Sequence, residues 1–131
     1  MKKLLSILSF AMVVLVLSSC TKKYITPNPN QTIIFDVPSS SWTLSTDGKS
    51  YYSVLNTPEI DDYFNKYGGV LVYFSFNPGV YEQIPEVYNG ISYSYTHNKG
   101  SLVLYAQSPD GNTPIKPDAL VLKLLLINSS Q

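Results

Sequence analysis

The sequence predicts a mainly β protein, an antiparallel sandwich of two sheets with about seven strands and one short helix. Three observations lead to this prediction. Short runs of residues alternate between apolar and polar, as they do in strands that bury one face. Turn-forming glycines, prolines and asparagines separate these runs at intervals of about 8 to 12 residues. The chain also contains 11 tyrosines and 9 prolines, which favour strands and turns over helices.

The chain begins with the layout of a cleaved export signal. Lys2 and Lys3 precede an apolar run over residues 4–17, which is shorter than the roughly 20 residues that span a bilayer. The run ends in Leu-Ser-Ser-Cys, which resembles the lipobox of bacterial lipoproteins. This resemblance implies that residues 1–19 are a signal peptide and that Cys20 becomes the lipidated first residue of the mature protein. An unmodified thiol after an uncleaved helix is the alternative interpretation.

Residues 20–31 are predicted to form a lipidated, flexible tether, and residues 32–131 a single β-sandwich domain. The tether holds two prolines among asparagines and threonines, a composition typical of extended, solvated chain. Cys20 is the only cysteine, so the domain cannot contain an internal disulfide. The mature part has no basic cluster beyond Lys22-Lys23 and no arginine, so we expect no nucleic-acid partner.

One strand and a hairpin are predicted before the helix. Residues 32–37 alternate in the manner of a strand with one apolar face. Residues 41–46 and 49–55 are rich in β-forming residues and flank Asp47-Gly48. That pair favours a two-residue type I′ turn, in which both residues have positive φ. Trp42 is expected to anchor the core, and a ligand-stacking platform is the alternative.

Residues 57–67 form the one helix that the mature sequence predicts. Thr57 suits the N-cap position, Pro58 suits the first helical position, and Gly68 suits a left-handed exit. Three acids crowd the first turn: Glu59, Asp61 and Asp62. Neighbouring helical residues point about 100° apart, whereas calcium needs about six or more converging oxygens. We therefore interpret the acids as complementing the helix dipole and predict no metal site.

Further strands are predicted after the helix. Residues 69–76 form the most apolar run before the C-terminal strand, and they are expected to be a central strand covered on both sides. Residues 81–90 contain Pro85 and are predicted to be an edge strand or an ordered loop. Three more runs complete the sandwich: 91–97, 101–107 and 120–127.

The sequence contains no convincing catalytic motif. His97 is the only histidine, so one chain cannot build a zinc site from histidine and cysteine ligands. No Gly-x-Ser-x-Gly motif is present to supply a hydrolase nucleophile. Glu82 and Glu86 would form a glycosidase pair only with carboxyls about 5 to 9 Å apart, and we interpret them as solvated acids on an edge. We expect no enzymatic activity and no cofactor.

Several features, taken in order, cover nearly all of the chain: the motif ending at Cys20, Trp42 with its hairpin into Tyr51-Tyr52, Pro58-Glu59-Ile60, residues 69–73, Gln83-Ile84-Pro85 and the apolar last strand. Together they resemble a group of small, uncharacterised lipoproteins common in Bacteroidota. The resemblance implies a lipid-anchored protein of the bacterial cell envelope. Residues 21–24 lack the acids that accompany surface export in that phylum, which favours the outer membrane with the domain facing the periplasm.

The predicted activity is binding, with the membrane contacted through the lipid on Cys20. The candidate surface is a tyrosine-rich set: Tyr81, Gln83, Tyr88, Tyr93 and Tyr95. In one hypothesis an envelope protein pairs with the edge strand over residues 81–88, so that the chain acts as a partner or accessory of an envelope complex. In the alternative, exposed tyrosines bind a glycan or a peptide. The exposure of Tyr93 and Tyr95 distinguishes the two, because inward-pointing rings would belong to the core.

Overall fold

The computed structural model describes residues 30–129, which form two antiparallel β-sheets packed as a sandwich. The prediction of a mainly β sandwich with one short helix is confirmed. The predicted signal peptide, the lipid on Cys20 and nearly all of the tether lie outside the described residues and stay predictions. In chain order, the elements are β1 (Gln31–Val37), β2 (Thr43–Leu44), β3 (Ser50–Asn56), α1 (Asp62–Tyr67), β4 (Gly69–Asn77), β5 (Val80–Ile84), β6 (Glu86–Tyr88), β7 (Ile91–Asn98), β8 (Ser101–Gln107) and β9 (Leu120–Ile127), with a 3₁₀ turn at Ser39–Ser41.

The strands divide between a four-stranded sheet, in the order β1-β9-β4-β5, and a five-stranded sheet, in the order β2-β3-β8-β7-β6. All neighbouring strands pair antiparallel. β4 and β9 occupy the inner positions of the four-stranded sheet, and the predicted central position of β4 is confirmed. The strands outnumber the predicted seven partly because residues 81–90 divide into β5 and β6, one in each sheet.

Alternation along β9 shows how the sequence builds the core. Leu120, Leu122, Leu124 and Leu126 point inward and are at most 6% exposed, whereas the residues between them are only half-buried. The same pattern in β4 buries Val70, Val72 and Phe74 and leaves its other face half-buried. The expectation that β4 is covered on both sides was therefore wrong. One face of this sheet packs on the core, and the other faces outward.

The helix begins later than predicted. Residues 57–60 form a turn in which the Ile60 N–H donates to the carbonyl of Thr57 over 3.0 Å, and α1 starts only at Asp62. Thr57 is fully buried and does not cap the helix. The cap is Asp61, whose carboxylate accepts a hydrogen bond from the Phe64 N–H at 2.6 Å. Of the three acids, one therefore caps the helix and one, Asp62, lies in its first turn.

Gly68 ends α1 in an extended conformation, with φ −80° and ψ 169°, so the predicted left-handed exit was wrong. Glycine is needed here because the backbone at residue 68 passes close to the ring of Phe64. A Cβ atom on Gly68 would lie 2.7 Å from the ring of Phe64, the buried residue of the helix. The chain turns from α1 into β4 directly over this ring.

The hairpin between β2 and β3 also differs from the prediction. Of the two central residues, only Gly48 has a positive φ, at 69°, so the turn is not type I′. The Asp47 carboxylate instead organises the loop by accepting hydrogen bonds from the Ser45 hydroxyl at 2.6 Å and the Lys49 N–H at 3.0 Å. These bonds hold the pKa of Asp47 below its usual range, the bond from Ser45 contributing most.

The sandwich has two distinct ends, which are defined here by the four-stranded sheet. At the N-terminal end, β1 begins at Gln31 opposite Leu126, close to where α1 leads into β4. At the far end, Val37 lies opposite Leu120, and the turn from β4 to β5 follows Asn77. Chain entry and the candidate site described below lie at opposite ends.

Candidate functional site

The candidate tyrosines do not form one surface. Tyr81 and Gln83 are exposed on β5, an edge strand, and Tyr81 keeps 39% of its surface accessible. Tyr88, Tyr93 and Tyr95 instead pack against the core. The predicted binding surface is therefore divided between the outer face of one sheet and the inside of the sandwich.

Tyr93 and Tyr95 point into the sandwich, so the prediction that they belong to an exposed binding surface was wrong. Tyr93 is only 4% exposed, and the Tyr95 hydroxyl donates a hydrogen bond to the carbonyl of Val70 in the opposite sheet at 2.7 Å. Strict alternation in β7 places these rings on one face and small hydroxyl side chains on the other, and the bulky face is the one that fills the core. Burial raises the pKa of both phenols. The glycan-binding alternative thereby loses two of its four rings.

Tyr88 occupies an intermediate position at the far end. Its ring stacks on Phe76 with a centroid separation of 3.9 Å and an angle of 3°. Tyr88 and Tyr93 both line a small cavity of about 200 Å³ together with residues 115–120. Because the ring of Tyr88 covers Phe76, removing it would disturb packing as well as any binding.

The strongest candidate site surrounds Tyr81 on the outer face of the four-stranded sheet. Lys123 on β9 places its Nζ atom 4.0 Å from the ring centroid of Tyr81 and 4.8 Å from that of Tyr73 on β4. We call these three residues the Tyr81 cluster. An ammonium group over an aromatic face contributes about 0.5 to 1 kcal/mol at exposed sites. The cluster therefore favours one orientation of the exposed Tyr81 ring.

The Tyr81 cluster adjoins a cleft of about 560 Å³ at the far end of the sandwich. The cleft is formed where β1 ends, β4 turns into β5 and β9 begins, and it is lined by Asp36, Val37, Pro38, Ser75, Phe76, Pro78, Gly79, Tyr81, Ala119, Leu120 and Val121. Most of these residues are apolar. A largely apolar lining with few polar groups, in this size range, is typical of binding pockets.

Polar groups at the cleft come from three strands. Asp36 on β1 is exposed, and Tyr81 presents its phenol from β5. The hydroxyl of Ser75 on β4 donates a hydrogen bond to the carbonyl of Asn77 at 2.8 Å, which fixes the irregular end of that strand. The cleft thus combines an apolar floor with a carboxylate and a phenol at its rim.

Two edge strands meet at Pro85, where the sequence predicted a single edge strand or an ordered loop. The chain leaves the edge of one sheet with β5 and joins the edge of the other with β6, and the Ile84–Pro85 peptide between them is cis. Glu86 points inward beside Tyr93, its partner across the strands. Burial, and to a smaller extent the charge of Glu82, raise the pKa of the Glu86 carboxyl. Glu86 is therefore not the solvated acid that the sequence suggested.

His97 and Trp42, the other residues considered for a functional role, both make contacts within the fold. His97 Nδ1 lies 2.9 Å from Oδ1 of Asn65 and so links β7 to α1. Trp42 is 2% exposed and packs edge-on against Tyr93, in agreement with a core role. Among residues 30–129, no group of three or more histidines, cysteines or acids is placed to hold a metal ion. Over the same residues, no helix has the length and apolarity needed to cross a membrane.

Two members of the Tyr81 cluster, Tyr73 and Lys123, are not among the binding residues that the sequence predicts. Tyr73 lies in the run that is predicted to be covered on both sides, and Lys123 lies in the apolar last strand. A usable signal existed in both strands, since each residue sits between two inward-pointing positions. Strict alternation would have placed Tyr73 and Lys123 on the outer face, although their proximity to Tyr81 depends on the order of the strands.

Comparison with protein-family models, with curated proteins and with solved structures found no match to this chain.

Proposed function

We propose that this protein is a lipid-anchored component of the bacterial cell envelope that acts by binding a partner protein, without catalysis. The observation that carries the proposal is the position of the Tyr81 cluster. An aromatic ring fixed by Lys123 stands on an open edge strand at the rim of an apolar cleft. Tyrosine is enriched at protein interfaces because it combines a large apolar face with a hydrogen-bonding tip.

The proposed mode of binding is strand addition along β5. Within residues 30–129 this strand is the last in its sheet and pairs on one side only, with β4. An extended segment of a partner would form main-chain hydrogen bonds to the free side of Val80–Ile84. Alternate side chains of that segment would face Tyr81 and Gln83, and one of them could enter the cleft. Because Lys123 already restrains Tyr81, little side-chain entropy would be lost on binding.

The proposed location rests on the sequence. The signal-like run and the Leu-Ser-Ser-Cys ending support a lipid on Cys20 and retention at the outer membrane, with the domain in the periplasm. An envelope partner is the natural consequence, since the protein would meet only components of that compartment.

The test is capture of partner proteins from detergent-solubilised envelope, compared between wild type and a Tyr81→Ala, Gln83→Ala double variant. Truncating an interfacial tyrosine commonly costs more than about 1 kcal/mol of binding free energy, so the variant should lose the partner. It should stay folded, with only the small loss of stability expected from removing the contact between Tyr81 and Lys123. Hydrogen exchange of the wild-type complex should show new protection at Val80–Ile84. The control is Val87→Ala. Val87 is an apolar residue that is 62% exposed and lies on β6, an edge strand of the other sheet.

Equal capture by wild type and the double variant would contradict the proposal. So would protection on β1 or β6 in place of β5. If the purified protein instead bound isolated envelope glycans through Tyr81, the glycan-binding alternative would be favoured. Tyr88 is left intact in this design because its stacking on Phe76 makes any effect of its removal ambiguous.

A further inference from the structure

The helix α1 carries two tyrosines that the core does not use. Tyr63 is 50% exposed and Tyr67 is 39% exposed, although both belong to a helix of only six residues. Their rings lie 5.0 Å apart at 47°, and they form a continuous aromatic surface. Phe64, which lies between them in sequence, is buried and attaches the helix to the core. The fold therefore explains Phe64 but not the two exposed rings.

These rings lie at the end of the sandwich where the chain enters the domain. Gln31, the first residue of β1, lines a shallow pocket together with Tyr63 and Phe64. Only residues 21–29 separate Cys20 from the first described residue. Nine residues span at most roughly 30 Å even when fully extended. A lipid on Cys20 would therefore keep this end of the domain close to the membrane.

Most charges around the two rings are paired, and the exception is the exposed Glu59, which lines the same pocket as Tyr63. The Asp61 carboxylate is occupied by the Phe64 N–H, and Asp62 forms an ion pair with Lys99. The Nζ atom of Lys66 lies 5.1 Å from the centroid of the Tyr67 ring. No basic cluster is available among the described residues here to attract a strongly anionic surface, so the site suits zwitterionic lipid headgroups. Tyrosine prefers this interfacial depth, where its ring is desolvated and its hydroxyl stays hydrated.

We propose that the face of α1 that carries Tyr63 and Tyr67 docks in the zwitterionic headgroup region of the membrane that holds the lipid on Cys20. The inference rests on the proposed lipid anchor, and it adds an orientation to it. The domain would lie with α1 against the membrane, and the cleft beside Tyr81 would point away from the membrane.

The test places a fluorescent probe at the docking face of the full-length, lipidated protein. Tyr63→Trp and, separately, Tyr67→Trp variants are reconstituted into phosphatidylcholine vesicles with and without brominated acyl chains, which quench nearby tryptophan. We expect a loss of emission for both variants. The matched control is Tyr105→Trp, which sits on β8 in the other sheet and should show no such loss. Trp42 is a buried, common background in all variants.

The outcomes separate this inference from the lipid anchor. If neither wild type nor the variants float with vesicles, and Cys20→Ala behaves identically, the anchor itself is refuted. If the proteins float and Tyr63→Trp is quenched no more than Tyr105→Trp, the docking proposal is overturned while the anchor stands. Quenching that requires anionic lipid and disappears in high salt would also overturn it, because the contact would then be made by lysines. Circular dichroism of each variant verifies that it folds.

Discussion

At the residue scale, Tyr93 lies at the centre of an aromatic cluster in the core. Its ring centroid is 6.4 Å from that of Trp42, 5.4 Å from Phe74 and 5.3 Å from Phe76. Burial, followed by the negative charges of Asp118, Tyr88 and Glu86, raises the pKa of the Tyr93 phenol to about 12. A tyrosine that resists ionisation in the folded state makes folding sensitive to alkali.

The first prediction is that Tyr93→Phe reduces the loss of stability at alkaline pH. In the unfolded chain the phenol ionises near pH 10, the ordinary value for tyrosine, whereas in the folded protein it stays neutral to about 12. The contribution of Tyr93 is fully present below pH 10 and is lost as the pH rises from 10 to 12. A shift of this size corresponds to at most about 3 kcal/mol.

The measurement is denaturant unfolding of wild type and Tyr93→Phe at several pH values between 10 and 12, with a neutral reference. Between pH 10 and 12 the free energy of unfolding should fall more for wild type than for the variant. Near neutral pH the two proteins should show a similar dependence of this free energy on pH. Parallel curves for the two proteins over the alkaline range would contradict the assignment of Tyr93 as a buried phenol.

At the element scale, α1 and its exit show how contacts decide where an element begins and ends. Local sequence allowed a helix from residue 57, but the burial of Thr57 and the cap formed by Asp61 shorten it to Asp62–Tyr67. Gly68 follows because the chain passes over Phe64. These are tertiary effects, and a pattern of helix-favouring residues does not contain them.

We expect Gly68→Ala to destabilise the domain by about 1 to 3 kcal/mol, the usual cost of forcing an extra methyl group into a packed site. The new Cβ would meet the ring of Phe64 at 2.7 Å, so either the ring or the backbone must move. Gly69→Ala is the matched control, since the nearest side-chain atom to a Cβ there, on Ile127, is 3.5 Å away. Free energies of unfolding in urea provide the comparison. Equal effects of the two substitutions would show that Gly68 is kept for some other reason.

At the scale of the whole molecule, much of the sandwich could be predicted because alternation is a local property. The central position of residues 69–76 followed from their apolar content, and Pro85 limited residues 81–90 to an edge strand or an ordered loop. The assembly of the site could not be predicted in the same way. Lys123 is distant in sequence from Tyr73 and Tyr81, and the three residues meet only because β9, β4 and β5 are adjacent in the sheet. The exposure of tyrosine is equally hard to infer, since this side chain suits both a core and a surface.

Deletion of residues 1–29 should leave the melting temperature of the domain unchanged. The buried apolar residues of residues 30–129 lie between Val37 and Leu126 and form one cluster, so this part of the chain has a core of its own. Thermal unfolding followed by circular dichroism compares the truncated protein with the unlipidated Cys20→Ala protein. A clear drop in melting temperature on truncation would mean that the N-terminal segment packs on the sandwich.

The length of β9 has a consequence for which molecules could reach the cleft. This strand of eight residues runs from Leu120, which lines the cleft, to Ile127 at the N-terminal end. At about 3.4 Å per residue it spans roughly 27 Å. A domain resting on α1 would hold the cleft at about this height above the lipid headgroups. In that proposed orientation a protein confined to the same bilayer would be too low to touch the cleft. The proposed partner would then be a soluble periplasmic protein or one that projects at least that far from its own membrane.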